Sequence, residues 1–187
     1  MKKLLSLTLA LLMCLCALLP AAAQEAPAQE TAAPAVNAPL TLEAYKTAYE
    51  TVITTILPEC TVAWTSSPLE EGEAWLAVVN NSFVSVMVLP VDGMVSEVAV
   101  LLQADMSEET LMTFLSMAGY AGAALLQDEE VSTEAACEAF IAELYTVFSG
   151  ILNGEQPENI YGLPGAINIT SAADGTFQYY FILKLGE

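Results

Sequence analysis

Two short turn signals, Asn80-Asn81 and Asp92-Gly93, divide an apolar stretch into the runs AWLAVV (74–79), SFVSVMVL (82–89) and MVSEVAVLL (94–102). A connection of two residues leaves no room for a crossover, so these runs must pair as antiparallel neighbours. An earlier run at about 60–66 carries Cys60, Val62 and Trp64 on one face, and the loop SSPLEEGE joins it to the second. The result is a four-strand meander, and an antiparallel sheet needs a cover on at least one face.

Three helical patterns supply that cover. The first spans about 41–57, with Leu42, Tyr45, Tyr49, Val52, Ile53 and Ile56 in one stripe, Thr41 as cap and Pro58 as stop. The second opens at Ser107 with Glu108 and Glu109 and presents Leu111, Phe114, Leu115 and Ala118, and Gly119 and Gly122 are expected to break or bend it. The third, about 133–149 after Ser132, has the cleanest stripe: Cys137, Phe140, Ile141, Leu144, Val147 and Phe148, before Gly150 and Gly154 end it. The region 153–165 reads as a loop. A strand at Ala166–Thr170, a turn at Asp174-Gly175 and a final strand Phe177–Leu185 close the chain.

The order α-ββββ-αα-ββ predicts an α+β fold: an antiparallel sheet of about six strands with three helices packed mainly on one face. This arrangement resembles small exported inhibitor and binding domains in which helices cover one side of a curved sheet, a likeness at the level of fold alone.

The N-terminus predicts export. Lys2 and Lys3 precede the apolar run Leu4–Leu19, Pro20 breaks it, and Ala21-Ala22-Ala23 offers small residues for cleavage. The run is short for a membrane span. Cys14 and Cys16 lack the small preceding residues of a lipid-attachment site. Residues 1–23 therefore read as a signal peptide of bacterial style, 24–39 as a flexible Ala/Pro/Glu-rich linker, and 40–187 as a single domain. Beyond the leader, no segment reads as a transmembrane span. The expected location is secreted or cell envelope, extracytoplasmic, with no membrane insertion after cleavage.

Charge narrows the function. The chain has 4 basic and 23 acidic residues and no His. Loss of the leader removes Lys2 and Lys3 and leaves Lys46 and Lys184 as the remaining cations. A nucleic-acid binder needs cations for phosphates, so nucleic acid is not an expected partner. Without His, Ser-His-Asp and Cys-His mechanisms are excluded, and no Ser stands three residues before either Lys. The acidic clusters at 70–73, 107–109 and 128–130 fit solvated turns and helix starts. No catalytic residue, metal site or cofactor is expected. Cys60 and Cys137 read either as a disulfide of an exported protein or as two buried free thiols.

The last strand, FQYYFILKL, raises the functional question. Alternation turns Phe177, Tyr179, Phe181, Leu183 and Leu185 inward, yet it leaves Tyr180 and Ile182 on the other side, where a solvated strand would carry small polar or charged residues. Trp75, Ser85, Met87, Glu97 and Gln178 are expected on the same side, with Val95, Ala99 and Leu101 beside Glu97. Trp75, Ser85, Glu97, Tyr180 and Ile182 are thus the candidate interaction face, partly apolar and rimmed by acidic residues. The leading expectation is an exported non-enzymatic binding or interaction domain, its partner a protein, a cell-envelope component or a second copy. The alternatives are an inhibitor or accessory subunit of an extracytoplasmic enzyme, and a small carboxylate-dependent hydrolase. If the leader is cleaved as read, N-terminal sequencing of exported protein will begin at Gln24; a chain retaining Met1 to Ala23, or a lipid on Cys14 or Cys16, contradicts it.

Overall fold

In the computed structural model, Asp92 and Gly93 have φ angles of 52° and 79°. A two-residue hairpin turn needs this left-handed pair, and Asp-Gly tolerates it well. The turn joins β3 (Ser85–Val91) to β4 (Met94–Ala104), with Val91 opposite Met94. β1 (Val62–Pro68) and β2 (Glu73–Val79) complete the meander. The structure describes residues 40–80, 84–126, 131–155, 159–160 and 162–185. The expected leader and linker, part of the Asn80-Asn81 turn and the acidic segment 128–130 lie outside the described residues.

α1 (Leu42–Ile56) precedes the meander, and α2 (Glu108–Ala123) and α3 (Thr133–Leu152) follow it. The chain then returns as β5 (Asn159–Ile160), β6 (Leu163–Ser171) and β7 (Phe177–Lys184). The sheet has seven strands in the order β1-β2-β3-β4-β7-β6-β5, and every pair is antiparallel. The fold is α+β with the expected order. The added strand is β5, which lies in the region read as a loop and is only 2 residues long. β7 inserts beside β4, so the edge that the meander would leave open is paired.

Each helix starts as its sequence dictates. The hydroxyls of Thr41, Ser107 and Ser132 accept the N–H groups of Ala44, Thr110 and Ala135 at 3.2, 3.1 and 3.2 Å. Each such cap contributes about 1 kcal/mol. Thr41 also pairs with Met94, and Val95 N–H donates to Leu40 C=O at 2.8 Å. Residues 40–42 therefore pair with the start of β4, and the Leu185 N–H donates to Ser96 O just beyond. This tie seats α1 on the sheet from its first turn.

One set of alternating residues on the strands meets the helices. Val86 faces Val100, which faces Phe181, and Val88 faces Val98, which faces Leu183. All six are fully buried in a single core cluster with Tyr45, Phe114, Phe140 and Leu144. Phe114 stacks obliquely on Tyr179 with ring centroids 5.5 Å apart. The cluster's strand residues fall on one face, so the three helices form one layer.

Three local expectations are corrected. Gly119 and Gly122 do not break α2, which runs on to Ala123. A Cβ at Gly119 would collide with Ile141, and one at Gly122 with the Phe140 ring. At these glycines the side chains of α3 occupy the space that a side chain on α2 would need. Val95 is buried in the core and not on the outer face. Leu89 pairs with Glu97 but Pro90 pairs with Val95, so Ser96 is an extra residue in β4 and reverses the alternation there. The Ser96 hydroxyl donates to Leu89 C=O at 2.8 Å and steadies the bulge. Finally, α3 is long and apolar enough to cross a membrane by length and composition alone; here its Cys137, Phe140, Leu144 and Phe148 are buried in the core.

Phe140 fills the space that Gly122 leaves. Phe140→Ala is expected to cost about 3–5 kcal/mol in denaturant unfolding; a loss below about 1 kcal/mol would show that this contact does not organise the core.

Candidate functional site

The other set of alternating strand residues points away from the helices. Leu76, Met87, Ala99, Ile182 and Ala166 form one continuous row of cross-strand partners. Val78, Ser85, Leu101, Tyr180 and Asn168 form the next. None of the apolar side chains in these rows joins the core cluster or packs against it. Val78 is 45% exposed and Tyr180 37%, so the face is bare at both. Ala99, at 0%, is the dent between the larger Met87 and Ile182. An antiparallel sheet with one solvated face normally puts polar residues here.

A third row holds Leu89, Glu97 and Lys184, with Glu97 directly opposite Lys184 across β4 and β7. These two are the charged side chains that the described strands place on this face. On the strands themselves the face thus carries one charge of each sign, while the exposed carboxylates of Glu70, Glu71, Asp92 and Asp174 lie in the turns that join them. Of the candidate interaction residues, the structure brings Ser85, Glu97, Tyr180 and Ile182 together.

Trp75 is not among them, and its placement is a correction. It pairs with the buried Val88 and turns toward the helices. There the Lys46 ammonium lies 3.2 Å from the centre of its ring and 5.9 Å from that of Trp64. Lys46 also donates to Glu43 Oε1 at 2.9 Å. Trp64 Nε1 donates to Glu50 Oε1 at 2.9 Å, and the Trp64 ring stands edge-on to Tyr45 and Tyr49. Tyr45 donates to Ala121 C=O at 3.1 Å, which ties α1 to α2. Burial raises the hydroxyl pKa of both tyrosines above the usual value, so both stay neutral. The buried cation is thus held between α1 and β2 by aromatic rings. The sequence signal was Lys46 on the flank of the α1 stripe, one residue after Tyr45.

Cys60 and Cys137 are both free thiols, so the disulfide reading is not realised in the structure. Cys60 sits at the turn from α1 to the edge strand β1, and Cys137 in the first turns of α3. Burial, and then the carboxylates of Glu134 and Glu138, push the Cys137 thiol up to about 11. It is a protonated core thiol at neutral pH. A cavity of about 200 Å³ opens among Ala48, Thr51, Val52, Ala124, Val131 and Ala136. Among the described residues its lining carries no ionisable group.

The Lys46 cluster is structural if Lys46→Met costs about 1–2 kcal/mol in chemical unfolding, the worth of a desolvated cation–π contact. Glu43→Gln should cost less than about 0.5 kcal/mol, because its carboxylate is solvated. Equal effects of the two variants would place the stabilisation in the ion pair instead.

Comparison with protein-family models, curated proteins and solved structures finds no match to this chain.

Proposed function

We propose that this protein is an exported, non-enzymatic binding domain whose open sheet face docks a protein or cell-envelope component outside the cytoplasm. The observation that carries the reading is the pair of apolar rows across β2, β3, β4, β7 and β6, with Tyr180 and Val78 bare to solvent. A contiguous apolar surface of this kind is retained where it is covered in use, because it is otherwise an aggregation hazard. Tyr180 suits such a surface: its ring offers contact area and its hydroxyl tolerates water in the free state.

The chemistry of the chain supports the same reading. The sequence has no His and no Arg, and the thiol of Cys137 is buried and protonated. Its charge is strongly acidic, with 23 Asp and Glu residues. The interaction face departs from that character. The leader that supports export is the charged, apolar and small-residue sequence of residues 1–23.

A photo-crosslinking residue at position 180 is expected to yield a discrete adduct in exported protein, and one at exposed Met112 on α2 is not. Tyr180→Ala should weaken the association about tenfold or more, as truncation of a central interface aromatic does, with the melting midpoint nearly unchanged. Indistinguishable crosslinking from both positions, or a large stability loss in Tyr180→Ala, would contradict a binding role for this face.

A further inference from the structure

We infer that the partner on the open face is a second copy of this chain, packed sheet against sheet about a two-fold axis; this rests on the reading of that face as a binding surface. Charge is the first support. The chain has a formal net charge of −19, which sets most of its surface against itself. The open face is the exception, since Glu97 stands directly opposite Lys184. Lys184 is also the exposed cation among the described residues, because Lys46 is buried under Trp75. A partner matched to this face brings one positive and one negative charge beside an apolar patch. A second copy brings that set, and a two-fold axis directs Lys184 of each copy toward Glu97 of the other.

Relief is the second support. Ser85 and Ala99 are small, and Met87, Leu101 and Ile182 beside them are large. Alternating dents and bumps let two such faces interdigitate at the spacing of about 10 Å seen between packed sheets. Area is the third. Strands lie about 4.8 Å apart and rise about 3.4 Å per residue. From β1 to β6, and from Glu97 to Gln103 along β4, the face then covers about 500 Å² per copy, and two faces reach the roughly 1,000 Å² of a specific interface.

Sedimentation of the exported protein over about 1–100 μM should show a concentration-dependent dimer. Glu97→Lys and Lys184→Glu each give a face with two like charges, and each alone should weaken the dimer by about tenfold or more. Melting curves establish that both variants fold. Mixed in equal amounts, the two variants should pair with each other and recover the dimer. A native chain that stays monomeric throughout, or a mixture that does not recover, overturns the inference. Hydroxyl-radical footprinting separates the two levels of failure. In a monomer, oxidation of Met87 and Tyr180 rejects the second copy but leaves the face open to another partner. Protection of both residues in a monomer rejects the face itself.

Discussion

A strand sends successive side chains to opposite faces, and β7 carries large apolar or aromatic side chains on both. That constraint organises the molecule. Phe181 and Leu183 are completely buried on the helix side, against Val100 and Val98 of β4. Ile182 and Tyr180 are carried to the other side, against Ala99 and Leu101. Helices can bury one face of a sheet per layer, and the described helices build one layer. The apolar side chains of the second face do not join the core beneath that layer.

The helix layer is closed tightly enough to explain why it does not serve both needs. α2 and α3 approach through Gly119 and Gly122, where Ile141 and Phe140 occupy the space of a missing Cβ. α1 is fixed at its start by pairing with Met94, and along its length by Lys46 over Trp75 and by Tyr45 bonded to Ala121. A cation would normally resist such burial, and Lys46 tolerates it through two aromatic rings and one carboxylate. The helices are thereby committed to the core face.

Much of this was legible in the sequence, and the failures have local causes. Periodicity in α1 and α3 and the Asp92-Gly93 turn were clear because propensity and pattern agreed. Tyr180 and Ile182 stood out because the rest of β7 alternates strictly. Trp75 was misplaced because β2 is apolar at every position from Ala74 to Val79, so no alternation marks its inner face. Val95 was misplaced because the extra residue Ser96 reverses the alternation, and Ser carries no sign of a bulge. The glycines of α2 look like breakers when read alone; only the proximity of α3 gives them a packing role. The Lys46–Trp75 contact joins a helix to a strand and leaves no periodic trace.

The opposite-charge pair on the outer face also required three dimensions. Glu97 and Lys184 are far apart in sequence, and the β4–β7 register alone sets them opposite. The outer strand face thus sets apolar side chains beside one acidic and one basic residue, and the proposed function depends on its lying outside the core. Adjacent residues of β7 test that most directly: Phe181→Asp and Ile182→Asp, compared by denaturant unfolding in dilute solution. The expected result is a loss above about 4 kcal/mol for Phe181→Asp, from burying an unpaired carboxylate, and a change below about 1 kcal/mol for Ile182→Asp. Comparable losses for both would mean that the chain itself covers the outer face, and the binding surface would not exist.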